Sequence, residues 1–196
     1  MPQHYKYVML EGETVKLRPI LASDAAVAYS MLVDEQILAW LLWDGPESEG
    51  EVFNTYSKWE KQFGASGEYW FALERLDEPG LIGCISFSFP QHEKQTDVGY
   101  WLGKPFWNRG YMTEAVRLVC YLCFEHLGSE RMYAPVFKGN VRSRRTLEKN
   151  GFILDGTLRR HLLKRGQWLD VWFMSLIRQD WQQKKPFYQP EKELLE

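Results

Sequence analysis

The chain has 196 residues, 45% hydrophobic and 26% charged. It can form one domain of ordinary size, which excludes a disordered polymer and a small fold dependent on disulfide or metal staples. A net charge of −2 supplies no global positive field for nucleic acid or an anionic membrane. Aromatic residues make up 15% of the chain, 9 of them Trp, an excess that suits a wide pocket or a sizeable interface.

The N-terminus lacks the apolar core of a signal peptide. The longest apolar run, residues 37–43, falls far short of the ~20 residues needed to span a bilayer. A soluble, cytoplasmic protein with no membrane partner is expected.

Residues 14–17 alternate as a short strand, and Ser23 or Asp24 is placed to cap a helix reaching about residue 33. A second helical stretch covers 47–63, after the Gly45-Pro46 break. Three strands follow at 69–76, 81–89 and 95–102, joined by turn signals at 77–80 and 91–94, and read as an antiparallel meander.

The strongest helical pattern lies at 113–127, where Glu114, Arg117, Tyr121 and Glu125 form one narrow polar stripe on an otherwise apolar helix. A strand at 132–136 precedes a short helix at 142–150, which Gly151 ends. Strands at 152–163 and 168–177 are joined through Arg165-Gly166, and the domain is expected to cover 1–181, with a polar tail at 182–196. The strand–helix–strand order in the middle requires a parallel pair. The expected fold is therefore α/β: a single-domain, mixed, mostly antiparallel sheet of about seven strands with helices on both faces.

Cys120 and Cys123 with His126 have the look of a metal or redox motif. They lie along one helical pattern without a second Cys or His pair, so core packing is the better reading, and no metal is expected.

Two segments carry chemistry. Between a strand ending near Leu102 and the long helix, a turn rich in Gly and Pro contains Asn108, Arg109, Gly110, Tyr111, Met112 and Thr113. The unpaired N–H groups and positive end of a helix N-terminus, approached by a glycine, make an anion site suited to phosphate. In the second segment, Asn140 and Ser143 stand at the entry to a short helix, and Arg142, Arg145 and Lys149 share one of its faces. A solvated basic face is the plainer reading, and the patch is too small to favour nucleic acid.

The two segments in this order, Phe106-Trp-Asn-Arg-Gly-Tyr-Met-Thr-Glu-Ala115 and Asn140-x-x-Ser143 running on to Gly151-Phe152, resemble the GNAT superfamily of N-acetyltransferases. The branch resembled contains the ribosomal-protein N-terminal (alanine or serine) acetyltransferases. Gly166 to Asp170 and Ser175 to Ile177 resemble its final strand.

The resemblance implies acetyl-CoA as co-substrate, held in a cleft between splayed central strands. Backbone near Trp101 and Leu102 would hold the acetyl and pantetheine amides, and residues 108–113 would cradle the pyrophosphate. Asn140 would bond the pantetheine arm, Ser143 would lie near the thioester sulfur, and Arg145 or Arg142 would meet the outer phosphates. By analogy, the helix at 47–63 and the last hairpin would line the acceptor site.

Two positions depart from the pattern. Met112 stands where the superfamily usually has Gly or Ala, and is expected to turn into the core while its N–H faces the ligand. Leu147 stands where many members carry a tyrosine acid, which leaves Ser143 as the replacement.

Asp97 is the base carried forward. Glu93, His92 and Asp170 are weighed beside it, and His161 reads as a rim or core residue. The expected activity is acetyl transfer to a primary amine, a protein N-terminus or a small molecule. The alternative is a catalytically degenerate acyl-CoA-binding module. A homodimer is left open.

Overall fold

The computed structural model describes residues 5–90, 92–184 and 189–196. Gln91 at the head of the expected 91–94 turn, and Pro186 in the tail, lie outside them. The strands are β1 (Val8–Glu11), β2 (Val15–Pro19), β3 (Glu68–Arg75), β4 (Leu81–Ser88), β5 (Gln95–Leu102), β6 (Arg131–Phe137), β7 (Ile153–Lys164), β8 (Gln167–Ile177) and β9 (Lys192–Leu195). The helices are α1 (Ala25–Leu32), α2 (Glu35–Leu38), α3 (Glu49–Gln62), α4 (Tyr111–Tyr121), α5 (Val141–Lys149) and α6 (Arg178–Lys184).

One sheet runs β7-β8-β6-β5-β4-β3-β2-β1-β9. Every neighbouring pair is antiparallel except β5 with β6, the parallel pair that the strand–helix–strand order requires. The two strands beyond the expected seven are β1 and β9. They pair with each other from Val8↔Leu195 to Glu11↔Lys192, so part of the tail forms an edge of the sheet.

Helices cover both faces. Tyr69, Phe71 and Leu73 of β3 point to one side, into a core shared with Met112, Ala115, Val116 and Val119 of α4 and Leu147 of α5. Ala72 and Trp70 point to the other, against α1, α2 and α3. Alternation of the strand side chains produces both layers from one segment.

Helix caps follow the local chemistry in three places. Ser48 Oγ accepts from the Glu51 N–H at 3.2 Å, Asp34 from Gln36 at 2.8 Å, and Asn140 Oδ1 from Ser143 at 3.2 Å. Asp24 departs from the cap expected of it: its carboxylate accepts from the Leu21 N–H and from both terminal nitrogens of Arg18. Arg18 also meets Glu74, which pairs with Lys16 at 2.9 Å, so the charge network pins the start of α1 to the sheet.

The polar stripe of α4 is partly covered by protein. Glu114 is buried and accepts from the Thr14 N–H at 3.0 Å and from the Thr14 hydroxyl, and Glu125 accepts from the Trp181 indole at 2.7 Å. Gly12 makes room for this contact, since a Cβ there would fall 2.0 Å from Glu114 Oε1. A π-helical turn, Leu122–Leu127, completes α4 and ends at Gly128 with φ 78°. Cys120 and Cys123 are fully buried in the core, in keeping with the packing reading.

Candidate active site

Strands β5 and β6 pair only at Gln95↔Arg131, Thr96↔Met132 and Asp97↔Tyr133. Beyond Asp97 they part, while β5 stays bonded to β4 as far as Gly83↔Leu102. The parting leaves the β6-facing amides and carbonyls of residues 98–102 without a strand partner. A cleft of about 680 Å³ fills the gap. An open strand edge of this kind can hold an extended chain bearing amides.

The phosphate end is built by the loop before α4. Asn108 at φ 62° and Gly110 at φ 89° both adopt left-handed backbone. That conformation is costly for a side chain other than glycine and turns the chain sharply into α4. Nothing lies within 4 Å of where a Gly110 Cβ would stand, so the backbone angle, not crowding, requires the glycine. The first-turn N–H groups of α4 thus face the cleft with no acceptor inside the helix.

Met112 is 6% exposed and packs in the core, the direction expected of it. Asn150 locks this end. Its Nδ2 donates to the Thr113 carbonyl and to the Thr146 carbonyl, both at 2.9 Å, joining the end of α5 to the first turn of α4.

Helix α5 forms the opposite wall. Asn140, Arg142, Ser143, Arg145, Thr146 and Lys149 all line the cleft, so the basic face predicted from spacing points inward. The Arg142 guanidinium lies 4.2 Å from the centre of the Trp107 ring, a cation–π contact. Leu147 is fully buried and faces away into the core. The Tyr100 hydroxyl stands 2.9 Å from Ser143 Oγ and 3.3 Å from the Ser143 carbonyl. Burial pushes the Tyr100 phenol pKa up, so it stays protonated.

Of the predicted residues, Asp97, Trp101, Leu102, Asn108, Gly110, Tyr111, Met112, Thr113, Asn140, Ser143 and Arg145 come together around the cleft. Arg109 is exposed and is not brought to it. The Leu102 carbonyl already accepts from the Trp107 indole at 2.8 Å, so this group enters the site engaged.

Asp97 sits where β5 and β6 separate. It borders both the cleft and an adjoining hollow of about 210 Å³ that includes Glu68, Trp70, Ser86 and Ser88. Partial burial there raises its carboxyl pKa from the ordinary value, although solvent still reaches it. His92 and Glu93 are exposed and pair with each other at 3.4 Å, away from the cleft. Asp170 accepts from the Arg160 N–H at 3.0 Å and from Lys138 at 3.2 Å. The Arg160 amide first and Lys138 second hold its carboxyl below the usual range, and it secures the bulge in the β7–β8 hairpin.

The roof of the cleft is not built by the helix at 49–62. Ile37, Trp40, Leu41 and Leu42, around and after α2, line the cleft together with His161 and Leu162 of β7, whereas α3 does not reach it. Trp59 of α3 instead stacks on Trp70 with ring centres 5.3 Å apart, on the sheet. Lys164 holds the roof in place. Its Nζ donates to the Leu41 carbonyl at 2.5 Å and the Trp43 carbonyl at 3.0 Å, and pairs with Asp44 at 3.3 Å. Arg165 adds Glu35 and Asp44. Among the described residues, the tryptophans lining the cleft are Trp40, Trp101 and Trp107.

Four similarities bear on this geometry. Residues 14–153 match the domain family described as Acetyltransferase (GNAT) domain. Over 179 residues the chain is 31% identical to "Probable N-acetyltransferase YjcK" of Bacillus subtilis, covering 88% of this chain and 98% of that one. It is 26% identical over 148 residues to the "[Ribosomal protein uS5]-alanine N-acetyltransferase" of Escherichia coli, covering 71% and 75%. A crystal structure titled "Probable acetyltransferase" superposes with a TM-score of 0.81 at 26% identity, covering 88% of this chain and 98% of that one.

Proposed function

The chain belongs to the GNAT acetyltransferase family, and on that premise we propose that a primary amine, a protein N-terminus or a small molecule, attacks the acetyl group of acetyl-CoA directly in the β5–β6 cleft. The observation that carries this reading is the parting of the two strands beyond Asp97↔Tyr133, with the α4 N-terminus at one end of the gap and Asp97 at the other. The residues present suit the co-substrate: unpaired strand amides for pantetheine, the turn at Asn108 and Gly110 for pyrophosphate, and Arg142, Arg145 and Lys149 for outer phosphates.

In this reading Asn140 spends its Oδ1 on the helix cap and offers its amide N–H to the pantetheine arm. Asp97, with its raised pKa, takes a proton from the ammonium form of the acceptor, directly or through water. A backbone N–H on the open edge of β5 meets the oxygen on which negative charge develops. Ser143 gives a proton to the departing sulfur. Holding both reactants in one cleft supplies much of the acceleration.

The buried Leu147, which cannot donate a proton, favours one competing reading, an acyl-CoA-binding module that transfers nothing. Calorimetric titration with acetyl-CoA and a panel of amines assayed for thiol release separates them. Binding with amine-dependent thiol release supports the enzyme, binding without it supports the module, and no binding at high micromolar ligand rejects both.

A further inference from the structure

The family resemblance leaves Ser143 as the proton donor beside the sulfur, and an aliphatic hydroxyl alone is a weak one. We infer that Tyr100 is a positioning residue that fixes the Ser143 hydroxyl hydrogen toward the sulfur, so that a tyrosine from strand β5 supports the step for which α5 has only Leu147. The inference rests on the acetyl-transfer reading above, with Ser143 beside the sulfur.

The geometry is specific. The Tyr100 hydroxyl is 2.9 Å from Ser143 Oγ, both side chains line the cleft, and Tyr100 packs against the core beneath them. Each hydroxyl has one hydrogen and two lone pairs. Either oxygen can donate in this contact. A phenol is the better donor of the two, and Ser143 Oγ at 2.9 Å is a nearer acceptor than the Ser143 carbonyl at 3.3 Å, so Tyr100 is taken as donating to Ser143 Oγ. That bond consumes a lone pair of Ser143 and leaves its single hydrogen free for a third group. The Ser143 N–H is held by the Asn140 cap at 3.2 Å, so the residue is fixed at its backbone as well as at its oxygen. Burial keeps Tyr100 protonated, and a phenolate that would reverse the bond does not form in the working range.

The protons balance as follows. The acceptor nitrogen forms a C–N bond as the thioester C–S bond breaks. The acceptor, starting as an ammonium, loses two protons. One leaves through Asp97 to solvent. Sulfur takes one from Ser143 Oγ, and water returns the second proton lost by the acceptor to Ser143, while Tyr100 keeps its own hydrogen. The net reaction releases one proton and a free thiol.

A binding measurement that needs no acceptor tests this. The affinities of CoA and of desulfo-CoA, which lacks the sulfur, are measured from pH 7 to 9.5 for the wild type, Tyr100→Phe and Ser143→Ala. A hydrogen bond donated to sulfur favours the thiolate and lowers the pKa of the bound thiol below that of the free thiol. In the wild type the preference for CoA over desulfo-CoA should therefore rise about fourfold or more across this range, as a downward shift of about one pKa unit in the bound thiol gives. In both variants it should stay flat within about twofold, with desulfo-CoA affinity unchanged as the check on folding. A preference that rises equally in Tyr100→Phe, or is flat in the wild type, overturns the inference. Failure of the wild type to bind CoA at all marks the failure of the acetyl-transfer reading itself.

Discussion

The side-chain amide of Asn150 donates to the Thr113 carbonyl at 2.9 Å, so the end of α5 holds the first turn of α4 in place. Both walls of the cleft meet at this bond. Asn150 is 1% exposed, and its second bond goes to the Thr146 carbonyl. Asn150→Ala would leave two carbonyls short of a buried donor and open a small cavity. The expected result is a stability loss of about 1–3 kcal/mol, read by chemical denaturation, together with several-fold weaker acetyl-CoA binding in calorimetry. Weakened stability with unchanged binding would show that α4 keeps its pose without the clamp.

Asp97 gives a pH dependence of stated sign. As the proposed base, Asp97 acts when deprotonated, and burial raises this carboxyl above the ordinary aspartate value. The acidic fall in kcat/KM should therefore occur at higher pH than an ordinary aspartate would give. Asp97→Asn should lower kcat by about 10²-fold or more, with acetyl-CoA affinity kept within twofold. A full-activity Asp97→Asn enzyme would assign the base to water or another group.

Lys164 is buried between the hairpin and the roof, with both carbonyl bonds on residues 41 and 43. Lys164→Met keeps much of the volume and removes the donors. The acceptor KM should rise several-fold while acetyl-CoA affinity changes little if, as the proposed reading has it, the roof stands over the acceptor. Equal losses for both ligands would indicate that the hairpin shapes the whole cleft.

Ionisation also shapes stability. Burial opposes the charge on Glu74, but Lys16 and Arg18 together pull its pKa below the ordinary glutamate value. A group depressed in the folded state stabilises above its unfolded pKa, and that contribution is lost as pH falls through the folded value. Wild-type stability should accordingly drop as pH is lowered below about 4.5, and Glu74→Gln should lose that part of the slope. Arg18→Met should destabilise by about 3 kcal/mol at neutral pH, since Asp24 and Glu74 would lose their shared partner in a largely buried site. Denaturant titrations across pH measure both.

Much of this arrangement is legible along the chain, and the remainder is absent for identifiable reasons. Strands β3 to β5 and helix α4 have strong periodic patterns, and the loop at Asn108 and Gly110 needs a backbone shape that leaves glycine in the sequence. Asn140 is marked by its cap. The strand β9, Lys-Glu-Leu-Leu, has no alternation to reveal it and exists through backbone pairing with β1. Helix α2 spans only Glu35–Leu38, too few residues to show a period.

Within the site, Tyr100 in a strand reads as packing, because its partner lies 43 residues on. The roof is held by a lysine 123 residues from the carbonyl it binds. Trp59 sits in an amphipathic helix that the family analogy assigns to the pocket, and the stacking on Trp70 places it on the sheet.

The central claim is direct acetyl transfer to an amine in the β5–β6 cleft. The most direct measurement counts thiol released from acetyl-CoA against acetylated amine by mass spectrometry, using the wild-type chain and a panel of amines and N-terminal peptides. One acetyl-amine formed per thiol released, with negligible thiol release when amine is omitted, is the expected result. Thiol release that does not depend on amine, or acetyl-CoA binding without release for any member of the panel, would contradict it.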